Sequence, residues 1–248
     1  MGKSGGFDYL RVLAVVFIVL LGSSIGVYLL PDMKAASRLV LASTFILGLV
    51  CLVLILNRIL YKWKNIRYTG LILLLLCVIW TIFGGGAVKT DDLRDAYIEQ
   101  LLAYRNTPFA WGGETKRGVD CSGLARTAFW QAMLKHGVRT NNPRLFGPYL
   151  WRFWWLDMSA KAMKDNEYGY TVTIDKADRI VGYNPTKLKK GDLAIVVNMH
   201  VLIYLGDNRW IEACPDDNKV VIKSSTVDTD HPWFNAGPVT FLRWSMLN

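Results

Sequence analysis

The sequence predicts an α+β domain carried behind a three-helix transmembrane region. In that domain, N-terminal helices pack on an antiparallel sheet of about five strands. Three observations predict it. The first third of the chain holds three long runs without a charged residue. Two segments with apolar residues at helical spacing follow. Five β-rich runs broken by turn residues then lead to the C-terminus.

The chain has 248 residues, 52% of them hydrophobic, and the apolar excess sits at the front. Residues 12–30, 39–57 and 68–88 carry no charge, and Arg11, Asp32, Arg38, Arg58, Arg67 and Lys89 flank them. An apolar run of about 20 residues is long enough to cross a bilayer, and a helix pairs its own backbone groups in lipid. Residues 1–88 therefore read as a transmembrane region with helices at about 10–30, 39–57 and 68–86. The first run is too long for the core of a cleaved signal peptide, and two more follow it. Between the second and third runs lie Arg58, Lys62, Lys64 and Arg67 with no acid, whereas Lys34 and Arg38 are partly offset by Asp32. The more basic loop faces the cytoplasm, which puts residues 89–248 on the outer side.

Residues 89–248 form one domain of ordinary size. They hold 21 Lys+Arg against 18 Asp+Glu, so most of the net charge of +9 belongs to the membrane part. The pI near 9.4 thus reports topology. No basic patch interleaved with aromatics is present, and nucleic acid is excluded as a partner.

Three glycines, Gly84 to Gly86, end the third span. In "TDDLRDAYIEQLLAYRN", Thr90 is placed to cap a helix, Asp91 and Asp92 suit its first turn, and Leu93, Tyr97 and Leu101 form its apolar stripe. A second helix is predicted from about Ser122 to His136, closed by Gly137, with Leu124, Ala125, Ala128, Phe129, Ala132 and Met133 on one face. An aromatic-rich insert occupies about 138–190, including "LFGPYLWRFWWLDM" with Trp151, Trp154 and Trp155. That stretch suits either core packing or the membrane interface, where tryptophan concentrates. The strands are predicted at 192–197, 200–206, 209–214, 219–224 and 239–244.

Cys51 and Cys77 fall inside the apolar runs, leaving Cys121 and Cys214 in the outer domain. Cys121 opens a helix, where unpaired N–H groups and the helix dipole favour a thiolate, so a structural pairing with Cys214 is disfavoured. A thiolate needs a base. His136 belongs to the end of its helix and His231 to a "TDHPW" loop, whereas His200 opens a strand and can project from a rigid sheet edge. If Gly206, Asp207 and Asn208 form a three-residue loop, Leu202 pairs with Glu212, and Glu212 becomes the diagonal neighbour of His200 on the same face. A two-residue loop places Glu212 on the other face. A carboxylate accepting from an imidazole fixes its tautomer and stabilises its cation.

"TPFAWGGETKRGVDCSGLA", "LKKGDLAIV" and "HVLIYLGDNRWIEA" together resemble the NlpC family of papain-like cell-wall cysteine peptidases. Twelve residues separate Phe109 from Cys121 and His200 from Glu212, as in that family, and the match covers most of residues 91–224. The resemblance implies a papain-like fold with Cys121 as nucleophile, His200 as base and Glu212 as orienting residue. By the same resemblance Asp120 and Ser122 help hold a substrate's free amino end. Phe109 stands where the family usually has tyrosine, and Glu212 where it usually has histidine, asparagine or glutamine. Trp111 packs the glycine loop or borders the cleft. No metal or other cofactor is expected.

The implied reaction is hydrolysis of an amide in the peptide stem of peptidoglycan, on stem peptides or lipid-linked precursors. The implied setting is the bacterial cytoplasmic (inner) membrane, multi-pass, with the C-terminal domain on the periplasmic or extracellular side. The three helices also offer a surface to other membrane proteins. Two alternatives are a papain-like thiol hydrolase or acyltransferase acting on a lipid or lipoprotein, and a non-catalytic cell-wall-binding membrane protein. A binding module has no need of a nucleophile spaced from a base, which counts against the latter.

Overall fold

The computed structural model describes residues 5–28, 35–59, 64–145, 148–156 and 158–248. The loops carrying Asp32, Lys34 and Lys62 lie outside the described residues, as do the side chains of Trp151 and Trp154.

The described parts of the three apolar runs are helical as far as Phe83: α1 (Gly5–Tyr28), α2 (Ala35–Ile59) and α3 (Lys64–Phe83). Among the described residues, only Ser37–Ile59 is long and apolar enough to cross a membrane; the apolar stretches Arg11–Val27 and Tyr68–Trp80 are shorter. One candidate span thus stands where three are predicted. α1 packs along α2, and their outward faces expose Val, Leu, Ile and Phe side chains.

The domain begins with α4 (Thr90–Leu102). Thr90 is its first helical residue rather than its cap; Lys89 holds that position without a side-chain bond. A small hairpin, β1 (Glu114–Thr115) and β2 (Gly118–Val119), leads into α5 (Cys121–Arg139). α5 runs through Gly137 to a cap at Thr140, and Asn141 rather than the glycine takes the left-handed conformation, at φ 51°. The insert then forms α6 (Pro148–Trp155) and α7 (Ala160–Lys164).

The sheet has six antiparallel strands: β3 (Thr171–Ala177), β4 (Leu193–Val196), β5 (His200–Gly206), β6 (Arg209–Cys214), β7 (Lys219–Ser224) and β8 (Val239–Trp244). Their order is β3-β8-β4-β5-β6-β7. The edge strand β3 is an addition to the five predicted; "TVTIDKA" carries the β-branched alternation of a strand but sits inside the insert. A short helix, α8 (Pro232–Asn235), precedes β8.

Both faces of the sheet are covered. On one, α4 and α5 pack against Ile195, Val201, Ile203 and Ile211. Phe129 of α5 is central there: it stacks on Trp244 with centroids 5.0 Å apart and meets Tyr97 and Phe153 edge to face. Phe153 and Leu150 bury one side of the insert in the core, while Trp155 stays exposed. The other face is covered by residues 180–188 and α8, around Leu202, Tyr204, Trp210, Phe234 and Phe241.

Asp192 of the "LKKGDL" stretch is fully buried. Arg243 grips it with Nε to Oδ1 at 2.8 Å and Nη2 to Oδ2 at 2.7 Å. A bidentate pair of this kind is both directional and strong. It locks the start of β4 to β8. Gly191 permits the turn that enters β4 at φ 87°, and an added Cβ would lie 3.0 Å from Tyr97.

Among the described residues, the N-terminal helices meet the domain at the start of α2 and after α3. At the start of α2, Arg38 is buried and pairs with Glu114 of β1, which also pairs with Arg126 of α5. After α3, the Asn142 amide donates to Gly86 O at 3.2 Å, and Gly84 packs against Pro143.

Candidate active site

Cys121 is the first residue of α5, and Asp120 is its cap. Asp120 Oδ1 accepts from Gly123 N at 2.5 Å and from Ser122 Oγ at 2.9 Å, while Oδ2 accepts from Gly112 N at 2.9 Å. One carboxylate therefore caps the helix and ties the "WGG" loop to it. The helix start and the loop nearly touch: a Cβ on Gly123 would lie 2.2 Å from Gly113 O. Asp120 and Ser122 thus both have structural partners beside the thiol. Phe109 is half-buried and meets Trp111 edge to face at 5.2 Å. Trp111 itself is 74% exposed, so its indole is not buried in the loop.

His200 begins β5 and is buried. The thiol of Cys121 lies beside its ring, and Sγ lies 3.8 Å from the carbonyl of Met199. On the other side, Nε2 of His200 lies 2.5 Å from Glu212 Oε2. Nδ1 is then the ring nitrogen turned away from Glu212. Burial pushes the imidazole's pKa down, but its bonds to Cys121 and Glu212 more than reverse this and hold it at about 10. Burial pushes Glu212 up, and hydrogen bonds from His200 and His231 outweigh that and hold it below the ordinary carboxylate value.

The hairpin that brings Glu212 to His200 differs from the predicted one. Gly206 pairs with Arg209, so the loop has two residues, Asp207 and Asn208, both left-handed at φ 52° and 58°. Positive φ at both positions is what a tight hairpin with matched twist requires. A bulge between Tyr204 and Gly206 then absorbs one residue, and beyond it Tyr204 pairs with Trp210 and Ile203 with Ile211. Continuing that register sets Leu202 opposite Glu212. The shorter loop and the bulge cancel, and His200 and Glu212 share a face.

Two residues of the "TDHPW" loop complete the surroundings. His231 Nε2 lies 2.9 Å from Glu212 Oε1. The ring of Trp233 stacks on that of His200, with centroids 4.2 Å apart and planes 15° apart. Nothing in the local sequence marks either residue, because both reach the site through the path of the chain between β7 and β8. His136 is buried at the far end of α5, with Nδ1 3.4 Å from Arg139.

Glu212, Cys214 and His231 bring one potential ligand atom each within 4.8 Å. A metal-bound histidine normally donates from its second nitrogen. His231 Nδ1 instead accepts from Trp233 N at 3.3 Å, so the arrangement does not favour ligation. All four cysteines are free thiols.

A thiol and a carboxylate on opposite sides of one buried imidazole, on helices packed against an antiparallel sheet, make a candidate site of the papain-like thiol type. Residues 106–234, just over half of the sequence, match the NlpC/P60 family, and the chain belongs to it. Dipeptidyl-peptidase 6 of Lysinibacillus sphaericus is 26% identical over 141 residues, covering 57% of this chain and 39% of the relative. The Escherichia coli K12 protein named murein DD-endopeptidase MepS/murein LD-carboxypeptidase is 22% identical over 138 residues, covering 54% and 56%. The chain thus spans about two fifths to just over half the length of these relatives. Among solved structures, the P60 domain of a Mycobacterium avium subspecies paratuberculosis antigen is 16% identical, covers 65% of this chain and 99% of that one, and gives a TM-score of 0.39. The peptidoglycan hydrolase RipB of Mycobacterium tuberculosis is 20% identical, covers 62% and 65%, and gives 0.38.

Proposed function

We propose that this chain is a membrane-anchored cysteine peptidase or amidase that hydrolyses an amide bond in the peptide stem of peptidoglycan. The observation that carries the reading is the placement of His200 between the Cys121 thiol and the Glu212 carboxylate. His200 Nδ1 takes the thiol proton, and Glu212 holds the resulting imidazolium from Nε2. The thiolate attacks the amide carbon. The backbone N–H of Cys121, at the open first turn of α5, is placed to meet the developing oxyanion. His200 then protonates the leaving amine, which departs and leaves a thioester. A water gives its proton to His200 and attacks the thioester, which releases the acid and restores the thiol. Asp120, Ser122, Phe109 and Trp111 border the cleft in this reading, with the exposed indole free to lie against a substrate.

Family membership and the named activities of the murein and dipeptidyl relatives support the substrate class. Anchoring rests on α2, and the three-span topology with the domain outside rests on the basic residues at 58–67. The test is the 248-residue chain in detergent against a defined muropeptide mixture, read by mass spectrometry with Cys121→Ala as control. Loss of a stem-peptide bond with wild type alone is the expected result. Cleavage by a folded Cys121→Ala protein would remove the nucleophile assignment.

A further inference from the structure

We propose that His231 is a positioning residue of this site, holding Glu212 through the close approach of Nε2 to Oε1 so that Oε2 meets His200. The inference rests on Cys121, His200 and Glu212 acting together as proposed above. The geometry is a chain: thiol, His200, Glu212, His231. The two oxygens of one carboxylate are divided between the two rings, at 2.5 Å to His200 and 2.9 Å to His231. Glu212 is only 1% exposed, so water cannot readily take the place of either donor. A buried carboxylate with one oxygen unsatisfied is costly, and it is free to swing about its last torsion toward whatever donor it finds.

His231 is itself fixed. Nδ1 accepts from the backbone N–H of Trp233, which leaves Nε2 as the protonated nitrogen on the Glu212 side, and the ring packs on Phe234 with centroids 4.8 Å apart. Burial lowers its pKa, while its interactions with Cys214 and Glu212 outweigh that and raise it to about 9. Nε2 carries a proton in both the neutral tautomer and the cation, so a proton stands between the ring and Glu212 in either charge state. The same short loop also delivers Trp233 onto the face of His200. One segment therefore braces both the base and its carboxylate from the side opposite α5.

Other charges face His231 and belong in any pH argument. Glu212 and Cys214 stand across from it on β6, Asp217 in the turn that follows, Lys223 on β7, and Asp228 and Asp230 in its own loop. Lys223 and Asp217 pair with each other at 2.8 Å. All of these stay in place when His231 alone is changed.

The test uses the 248-residue chain in detergent with His231→Leu and His231→Gln. Two readouts are taken: iodoacetamide alkylation of the Cys121 peptide across pH, and kcat and KM on the muropeptide mixture. A hydrogen bond to a charged group corresponds to about a 10- to 100-fold effect. His231→Leu should lower kcat by about that factor and leave KM within about twofold. It should also move the acid limb of alkylation upward by about one pH unit, because a less stabilised Glu212 anion supports the imidazolium less well. His231→Gln retains an N–H donor and should restore both readouts to within about threefold. Wild-type kcat and an unmoved acid limb in His231→Leu would overturn the proposal. So would equal damage in both variants together with a lowered melting temperature, since that marks His231 as packing. If wild type cleaves no muropeptide, the substrate reading fails, but the alkylation profile still decides the role of His231.

Discussion

The indole of Trp233 lies flat against the imidazole of His200, with centroids 4.2 Å apart and planes inclined by 15°. The face of an aromatic ring attracts a cation by about 0.5–2 kcal/mol, which favours the imidazolium formed during catalysis. Trp233→Phe should keep most activity, whereas Trp233→Ala should lower kcat by about 2- to 30-fold. Steady-state kinetics beside a melting curve checks this. Equal rates in the two variants would leave the stacking without a catalytic part.

Glu212→Gln should retain partial turnover and Glu212→Ala should lose much more. Glutamine still accepts from His200 Nε2 but carries no charge to balance the imidazolium. His200→Ala should abolish turnover. Muropeptide release followed over time distinguishes these ranks, and wild-type rates in both Glu212 variants would make that residue a bystander.

Stability should fall on the alkaline side. His200 and His231 are held at about 10 and about 9 in the folded chain, above the ordinary 6.5. Their contribution is complete below about 6.5 and is lost as pH rises through those folded values. Glu212 has the opposite sign: its contribution is present above the ordinary 4.5 and is lost as pH falls through its lowered folded value. Melting temperatures across this range should fall toward pH 10 more steeply in wild type than in a His200→Gln/His231→Gln double variant. Parallel curves would contradict the ion-pair picture.

Glu114→Ala should destabilise the protein by on the order of 3–5 kcal/mol, because it leaves Arg38 and Arg126 buried without the carboxylate they share. It should also free the start of α2 from the domain. Limited proteolysis near residues 35–39 reads the second effect. An unchanged cleavage pattern with an unchanged melting temperature would mean that this contact does not hold the two parts together.

Much of the domain was legible in the sequence because its signals are local. The stripe Leu124–Ala125–Ala128–Phe129 can only be a helix face, and "HVLIYLGDNRWIEA" can only be a hairpin. Even there, the facing of His200 and Glu212 follows from a two-residue turn plus a bulge, since a bulge has no clear sequence mark. β3 was hidden by the insert around it. His231 and Trp233 were illegible for a different reason: what they touch lies 19 to 33 residues away, and no periodicity links them to it. The same holds for Arg38, which reads as a flank of an apolar run and meets Glu114 76 residues later.

The contacts of the N-terminal helices with the domain, at Arg38 and at Gly84–Gly86, bear on how substrate would be met. If α2 lies in a bilayer, as proposed above, a domain held at both points cannot swing on its tether, and the cleft rides at a fixed altitude. Encounters would then scale with the areal density of substrate at that altitude rather than with its concentration in a volume. Such a protein would work a single plane parallel to the bilayer and cover new ground by lateral diffusion.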